Sequence, residues 1–454
     1  MSPIKPSHQE VSTPISIPDN HPGKYLELIE SQWEDLSFIA GKKISTLCVE
    51  SVEEPRLLVF PDTLEEYGDR IGNSSVIDIS GKSISTGNVM GFIGRRETLL
   101  KIHSRFDREA DDFFMHYMLE KVFSVNMFDL PHSTDSDQVF DFIVFLFPYF
   151  LKKALGQGLH RKYVTCRRND AHVRGSIDIA RHITTNLPFT GRIAYNSRER
   201  SSDNELTELI RHTIEFIRNK SFGQAILFRD ENTKECVSSI IQATPAYRKK
   251  DRAQVMFKNI RSKIHPFYSE YEPLRRLCLQ ILREEEIKYG KKDDRVYGVL
   301  FDGTWLWEEY LNTLFDGLDI HHPENKKRRF PIYLFKSKRA DRYPDFWTTD
   351  LVMDAKYKGY DGKPVHKVGP DDLAQVISYM YVLESRFGGF LVPGKDGSEN
   401  YSRETLNGGD GEMFILSLQI PSGASTYSDF TQRIKVNEES FVGKISEILS
   451  RSVI

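Results

Sequence analysis

Three charged residues in the last third of the chain have the types and spacing of a metal-dependent hydrolytic site. Asp345 follows a proline, and Asp354-Ala-Lys356 comes after eight intervening residues, in a run of alternating side chains. On a β-strand Asp354 and Lys356 would share one face, about 7 Å apart. Two converging carboxylates suit Mg²⁺, which binds oxygen ligands and keeps several waters. A lysine beside them could orient or help deprotonate the attacking water and hold the scissile phosphate, so the pattern predicts phosphodiester hydrolysis.

The elements predicted around this strand bring further polar side chains towards it. A helix after the strand carries Gln375 and Tyr379, which are four residues apart and therefore share a helix face. A helix before the strand carries Glu308, for which a solvated acid is the simpler interpretation when the residue is taken alone. The order helix, strands, helix, strand predicts a compact α/β unit in the C-terminal third of the chain.

A basic stretch leads into the predicted catalytic strands. Residues 326–342 contain eight Lys and Arg against one acid, a net charge of +7. Such a patch could follow the phosphates of a nucleic acid, although a solvated basic loop has the same composition. The residues that we assign to DNA binding are Lys326, Lys327, Arg328, Arg329, Lys338, Arg339 and Arg342.

The overall composition limits what the chain can be. Its 454 residues are 39% hydrophobic and 28% charged, which is typical of a soluble globular protein with more than one domain. The net charge of −3 means that any basic surface for nucleic acid is local. No apolar run reaches the ~18–20 residues that span a bilayer. The four cysteines are scattered without zinc-ligand spacing. We therefore predict a cytoplasmic protein with reduced thiols and no membrane contact.

Changes of pattern along the chain predict four parts. Residues 1–23, with five prolines among the first 22, are predicted to be a disordered leader. Short β-branched runs between turn residues predict a β-rich region over 24–110. Helical periodicity predicts a mainly helical middle region over 111–290, and the α/β unit with the catalytic pattern covers 291–454.

Two further motifs are predicted to carry no chemistry. Gly81-Lys-Ser83 is similar to the end of a nucleotide-binding loop, but Val76 stands where the first glycine would be. We therefore expect no nucleotide or other organic cofactor on this chain. The adjacent pair His321-His322 could bind a metal, but neighbouring side chains usually point apart, so a loop pair is the preferred interpretation.

The catalytic pattern with its Gln375-xxx-Tyr379 helix resembles the PD-(D/E)xK nuclease superfamily, in the branch with a QxxxY helix. More narrowly, the chain resembles McrC-family proteins, the nuclease subunits of McrBC-type and LlaJI-type restriction systems. The resemblance covers about residues 85–395 and is most specific at the nuclease motif. Its segments are Gly87-Asn-Val-Met-Gly-Phe-Ile93, Ile102-His-Ser-Arg-Phe106, Arg174-Gly-Ser-Ile-Asp178, Leu306-Trp-Glu-Glu-Tyr310 and Asp354-Ala-Lys-Tyr-Lys358.

The resemblance implies a restriction-endonuclease-like fold for the C-terminal unit, with a role for each site residue. Asp345 and Asp354 would be Mg²⁺ ligands and Lys356 the catalytic lysine. Glu308 would be an accessory acid, and Gln375 and Tyr379 would be supporting residues. The resemblance also implies double-stranded DNA as the substrate and a McrB-like hexameric AAA+ GTPase as the partner. The β-rich region over 24–110 would enter the partner's ring and stimulate GTP hydrolysis.

Two alternative functions stay open at this point. The chain could be a self-sufficient PD-(D/E)xK nuclease of repair or defence, or a non-catalytic activator of an AAA+ partner. The intact set of Asp345, Asp354, Lys356 and Gln375 argues against the activator. The sequence does not identify the target modification, the residue that stimulates the GTPase, the oligomeric state, or a role for the proline-rich leader and the tail after Val392.

Overall fold

The computed structural model of the protein describes residues 15–24, 28–49, 57–61, 70–96, 98–106, 112–123, 143–220, 222–260, 262–283, 296–323, 325, 328, 330–407 and 409–451. These residues form two compact units. The first unit contains the described residues up to 123 and those from 296 onward, and the second contains those from 143 to 283. The second unit is inserted in the chain between two parts of the first. The predicted regions 24–110 and 291–454 therefore belong largely to one unit, although they are far apart in the sequence.

The N-terminal part of the first unit consists of short strands and helices. The strands are β1 (Ile15–Pro18), β2 (Gly23–Lys24), β3 (Leu57–Phe60), β4 (Ile77–Ser80), β5 (Ser83–Thr86), β6 (Val89–Arg95) and β7 (Thr98–His103). The helices are α1 (Glu30–Ile39), α2 (Ile44–Val49), α3 (Arg70–Asn73) and α4 (Phe113–Phe123). The region predicted to be β-rich therefore also contains helices; α1 forms because Leu36 and Ile39, three residues apart, are buried on one face.

The second unit is mainly helical, with one small antiparallel sheet. Its elements are α5 (Phe147–Gly156), β8 (Lys162–Asp170), β9 (Ser176–Ile177), α6 (Ile179–Asn186), β10 (Ile193–Ser201), α7 (Glu205–Arg218), α8 (Gly223–Leu227), α9 (Glu231–Ala243), α10 (Arg252–Ile260) and α11 (Tyr271–Leu282). The strand order is β8-β10-β9. Helix α7 begins at Glu205 because the Asn204 side chain accepts hydrogen bonds from the backbone N–H groups of Leu206 and Thr207.

The C-terminal part of the first unit is an α/β arrangement. Its elements are β11 (Val296–Asp302), α12 (Gly303–Leu314), β12 (Ile332–Phe335), β13 (Arg339–Arg342), β14 (Phe346–Trp347), β15 (Leu351–Ala355), α13 (Pro370–Leu383), β16 (Phe387–Lys395), β17 (Tyr401–Thr405), β18 (Glu412–Ile420) and α14 (Tyr427–Arg451). The α/β class predicted for this part is confirmed, and the helices predicted before and after the catalytic strand are present as α12 and α13.

Strand β11 joins the two parts of the first unit. It lies in a five-stranded sheet of order β1-β7-β6-β11-β3, antiparallel to β6 and parallel to β3. The backbones of β6 and β11 meet closely at two glycines. A Cβ on Gly91 would lie 2.2 Å from the Val299 carbonyl oxygen, and one on Gly298 would lie 2.3 Å from the Phe92 carbonyl oxygen. Both glycines have positive φ, so larger residues would disrupt this pairing.

A second five-stranded sheet, of order β14-β15-β16-β18-β17, carries the catalytic pattern. Strands β15, β16 and β18 run parallel, and all five residues of β15 are buried. Helix α13 begins with Pro370 in its first turn, and its Val376, Tyr379 and Met380 pack in one core cluster with Val352 of β15. Parallel strands covered by helices are buried on both faces, which explains the apolar sequence around Asp354.

One sequence prediction needs correction, and one segment without a predicted role has a place in the fold. Residues Ile15–Pro18 were predicted to lie in a disordered leader, but they form β1, which pairs with β7 and buries Ile17. Residues 1–14 lie outside the described residues. The tail after Val392 had no predicted role, yet it supplies β18, which pairs with β16 and β17 inside the catalytic sheet. Among the described residues, no helix is both long enough and apolar enough to cross a membrane.

Candidate functional site

The structure brings Asp354 and Lys356 together at the end of β15. Asp354 is only 2% exposed, and its Oδ2 lies 2.7 Å from Lys356 Nζ. The strand ends at Ala355, so Lys356 lies one residue beyond it. The next residue, Tyr357, is buried in the N-terminal part of the same unit, where its hydroxyl lies 2.7 Å from Ser104 Oγ. Lys356 therefore lies between two buried residues, Ala355 at the end of β15 and Tyr357.

Asp345 lies beside the same strand. Its Oδ2 accepts a hydrogen bond from the backbone N–H of Ala355 at 2.7 Å, and its Oδ1 accepts one from Asn325 at 2.8 Å. The Asp345 carbonyl oxygen lies 2.9 Å from His322 Nδ1. The antiparallel pairing of β14 with β15 places Asp345, which directly precedes β14, next to the strand that carries Asp354.

The two carboxyl groups raise each other's cost of ionisation. Burial and the neighbouring charge of Asp345 together raise the pKa of Asp354 to about 7, against the opposing charge and hydrogen bond of Lys356. Burial likewise raises the pKa of Asp345, against hydrogen bonds from Ala355 and the charge of Lys356. A bound cation would favour the ionised form of both carboxyl groups, because it would offset their mutual repulsion and the cost of their burial.

Lys356 is held in a chain of polar contacts. Its Nζ donates to Gln375 Oε1 at 2.9 Å, and Gln375 Nε2 donates to the Tyr379 hydroxyl at 2.5 Å. Although burial lowers the pKa of Lys356, the carboxylates of Asp354 and Asp372 raise it above its ordinary value. The amine is therefore a cation that can bind an anionic oxygen, and it is a poor base for removing a proton from water.

Glu308 is buried rather than solvated. It lies on α12 and is 7% exposed, and its Oε1 lies 3.9 Å from His322 Nδ1. His322 stacks on Phe346, with ring centroids 4.7 Å apart. Since His322 also contacts the Asp345 backbone, the structure links Glu308 to Asp345 through this histidine.

The basic residues that the structure describes lie directly before Asp345. Arg339 and Arg342 lie on β13, and Lys338 lies in the turn that precedes it. The Arg328 guanidinium carbon lies 5.9 Å from the centre of the Tyr343 ring. Three other residues assigned to DNA binding, Lys326, Lys327 and Arg329, lie outside the described residues.

Comparison with known families gives a direct result for most of the chain. Residues 84–392 match the family model described as "McrBC 5-methylcytosine restriction system component". The chain belongs to the McrBC family. This confirms the family resemblance drawn from the ordered sequence motifs. No curated protein matches the chain.

Two solved structures are similar to this McrBC-family chain at low identity. One is a refined half-complex from a tetradecameric assembly of Thermococcus gammatolerans McrB AAA+ hexamers with bound McrC; identity is 16% and the TM-score is 0.43, over 95% of this chain and 100% of that chain. The other is a cryo-EM structure of the Thermococcus gammatolerans McrBC complex; identity is 14% and the TM-score is 0.32, over 67% of this chain and 87% of that chain.

The donors at the McrBC-family site fit a hard divalent cation with few protein ligands. The described residues contain no group of three or more His, Cys, Asp or Glu side chains arranged to hold a metal ion. Asp345 and Asp354 are the candidate ligands because carboxylate oxygens suit such a cation, and water and substrate oxygens would complete the shell. Mg²⁺ commonly binds through one or two carboxylates in this way, whereas a structural zinc site needs four protein ligands.

Three residues at the site were missed by sequence reasoning. Asp372 Oδ1 lies 3.3 Å from Lys356 Nζ, and its Oδ2 accepts from Lys358 at 2.7 Å and from the Tyr360 hydroxyl at 2.6 Å. Its position three residues before Gln375 on the same helix could have indicated it. Asn325 and His322, which contact Asp345, lie far from it in sequence, and His322 was interpreted as part of a loop pair.

Proposed function

We propose that this McrBC-family chain is the Mg²⁺-dependent endonuclease subunit of a restriction complex that cleaves double-stranded DNA. The observation that carries the proposal is the contact of Asp354 with Lys356 beside Asp345, on a buried strand covered by the Gln375–Tyr379 helix. This combination supports the PD-(D/E)xK interpretation of the fold. A non-catalytic activator would not need a buried pair of carboxylates with a cation beside it.

Each side chain has a distinct part in the proposed hydrolysis. Asp345 and Asp354 would hold the Mg²⁺ ion, which when bound polarises the phosphoryl oxygen and stabilises the leaving oxygen. The Lys356 ammonium would hold an oxygen of the scissile phosphate or orient the attacking water. Gln375 fixes the lysine because it accepts from Nζ and is itself tied to Tyr379. Glu308 would act as an accessory acid behind His322.

The decisive test removes one carboxylate while keeping its shape. Asp354→Asn, assayed as the full chain with its partner, GTP, Mg²⁺ and methylated duplex DNA, should lower cleavage by at least ~100-fold because it removes a charged metal ligand. The matched control is Asp371→Asn, which changes an exposed carboxylate on α13 and should leave cleavage unchanged. Cleavage retained by Asp354→Asn would refute the site, and robust cutting by the chain alone would favour a self-sufficient nuclease.

We also propose that the partner is a McrB-like AAA+ GTPase hexamer, as the family description of a system component suggests. The region first assigned to this contact, 24–110, exposes few large hydrophobic side chains among its described residues, namely Ile29 and Trp33. The second unit exposes many more around α6. We call them the apolar patch: Val173, Ile177, Ile179, Ile183, Leu187 and Phe189.

The apolar patch is a better candidate for partner binding than the N-terminal strands. Ile179, Ile183 and Leu187 recur every four residues and form an exposed stripe along α6 and its end. A contiguous exposed apolar surface of this kind marks an interaction site. The N-terminal strands, in contrast, are paired within sheets: β1, β3, β6 and β7 lie in the sheet with β11, and β2, β4 and β5 form a three-stranded sheet of their own.

The partner assignment is tested by placing a charge on the patch. Ile183→Asp should abolish stimulation of the partner's GTPase, whereas Val436→Asp, at an exposed helical position of the first unit, should not. Both variants should keep the unfolding temperature of the wild-type chain. Full stimulation by Ile183→Asp would return the contact to the N-terminal region.

A further inference from the structure

A small hairpin next to the candidate site exposes aromatic rings. Strands β12 and β13 pair antiparallel, with Tyr333 opposite Asp341 and Phe335 opposite Arg339. Tyr333 is 37% exposed and Phe335 is 56% exposed, whereas the alternate residues of the strand, Ile332 and Leu334, are half-buried. We call β12, β13 and their turn the basic hairpin.

The two rings share the outer face of the basic hairpin. Side chains two residues apart on a strand point to the same side, so Tyr333 and Phe335 lie side by side, and Arg339 lies opposite Phe335. Exposing two neighbouring aromatic rings to water is unfavourable by roughly 25 cal/mol per Å² of apolar surface. Such a pair on a surface hairpin therefore indicates a ligand that covers it.

Three cations lie at the turn end of the basic hairpin, whereas Asp341 lies opposite Tyr333. Lys336, Lys338 and Arg339 are all exposed at or beside the turn. The hairpin's acid, Asp341, is engaged by the Tyr343 hydroxyl, which donates to its Oδ2 at 2.8 Å. A ligand that fits this face must therefore combine negative charge with flat apolar surfaces.

The basic hairpin is also tied to the candidate catalytic residues. Its last strand ends at Arg342, three residues before Asp345. The Tyr343 carbonyl oxygen accepts a hydrogen bond from the Tyr379 hydroxyl at 3.3 Å, and Tyr379 belongs to the chain of contacts that holds Lys356. A ligand on the hairpin would thus lie close to the scissile phosphate.

We infer that the basic hairpin is a stacking platform for unpaired bases of the DNA next to the cleavage site; this rests on the proposed nuclease function. Phosphates alone would need only the cations, which bind any backbone. The rings offer stacking, which the bases of an intact duplex already satisfy among themselves, so they favour bases that have left the stack. The platform would hold a locally opened strand while Lys356 and the carboxylates act on its backbone.

The inference is tested by binding rather than by cleavage. The full chain carrying Asp354→Asn is titrated with three DNA probes of the same sequence: a single strand, a perfect duplex, and a duplex with a short internal unpaired stretch. Adding Tyr333→Ala with Phe335→Ala should weaken binding of the single strand and the bubble by about 5- to 100-fold. Binding of the perfect duplex should change by less than about twofold.

A matched control and a charge variant separate stacking from other causes. Phe257→Ala removes a 76% exposed ring of the second unit and should leave all three affinities unchanged. Lys336→Ala with Lys338→Ala should weaken all three probes and reduce the salt dependence of binding. In contrast, the double aromatic variant should keep the salt dependence of the parent protein.

The possible outcomes are distinct from those of the nuclease test. Equal weakening of duplex and single strand, or no weakening, would overturn the platform. Unchanged DNA binding together with lost binding of the AAA+ partner would also overturn it, and would make the rings a protein contact. Because these titrations use a variant designed not to cleave, they stand or fall independently of whether Asp354→Asn abolishes cleavage.

Discussion

Two sheets of this protein differ in burial and strand direction: the sheet of the first unit that carries the proposed catalytic residues, here called the catalytic sheet, and the β8-β10-β9 sheet of the second unit. In the catalytic sheet β15 is fully buried and runs parallel to β16. In the other sheet, β8 and β9 are largely exposed and all pairings are antiparallel. Parallel sheets need cover on both faces, whereas antiparallel sheets can face water.

This difference in burial suits the two sheets to different tasks. A buried sheet can hold two carboxylates and an ammonium at fixed distances, because packed neighbours restrict each side chain and the low dielectric strengthens their interactions. An exposed sheet with α6 beside it leaves many of its outer side chains in water, but it offers apolar area to a partner. The catalytic sheet is therefore suited to chemistry, and the small sheet to recognition.

The same substitution in the two regions should have very different effects on stability. Ile415→Ala removes a side chain of β18 that is 2% exposed, and should cost about 2–5 kcal/mol of unfolding free energy because it leaves a cavity. The Ile183 side chain on α6 is 52% exposed, so Ile183→Ala should change the unfolding free energy by at most ~0.5 kcal/mol. Calorimetry of the full chain measures both. Similar losses would mean that the apolar patch is covered within the chain.

A smaller effect is expected for Gln375, which in the proposed mechanism only positions Lys356. Gln375→Ala breaks the link between Lys356 and Tyr379 and should lower the cleavage rate about 10- to 100-fold, as is usual for groups that orient catalytic side chains. DNA affinity should stay close to the wild-type value. The control is Gln254→Ala, at an exposed position of α10, for which the rate should not change. A wild-type rate for Gln375→Ala would show that Lys356 needs no such support.

The smallest expected effect is a loss of stability of the second unit at acidic pH. Burial lowers the pKa of His212 to about 4, and the charge of Arg252 contributes. The unfolded chain has the ordinary value of about 6.5, so it takes up a proton first as the pH falls. The contribution of His212 to the free energy of unfolding is therefore fully present above pH 6.5. It is lost as the pH falls from 6.5 towards 4, and the loss is about 1 kcal/mol or less at pH 6.

The variant His212→Gln should flatten this pH dependence, since glutamine does not titrate. The unfolding free energy of the second unit, followed at pH 7, 6 and 5, provides the measurement. His172→Gln, at an exposed position of the same unit, should retain the wild-type slope. An unchanged slope in His212→Gln would assign the acid sensitivity to other groups.

The strand and the helix of the site could be predicted from the sequence, because each follows from spacings between residues that are close together in the chain. The strand with Asp354 and the helix with Gln375 and Tyr379 follow from spacings of two and four residues. The family also followed from motifs in order along the chain. The residue roles inferred from that resemblance stay predictions until the substitutions above are measured.

Long-range contacts were beyond the sequence. Nothing in the pattern of β11 shows that it lies between β6 and β3, because strand pairing depends on packing across distant parts of the chain. For the same reason Asn325 and His322 were not assigned to Asp345, although they contact it in space. The burial of Glu308 could not be predicted either, because it depends on how α12 packs against the rest of the first unit.

The position of β11 between β6 and β3 also sets an order of events during synthesis. Strands β3 and β6 leave the ribosome about 200 residues before the strand that separates them, which at roughly 5–20 residues per second is a delay of about 10–40 s. The inserted second unit is translated completely within that interval and has its own core. The second unit with its apolar patch is thus expected to be folded before the sheet that carries Asp354 exists. Under the proposed function, a nascent chain could meet its partner before it is able to cut DNA.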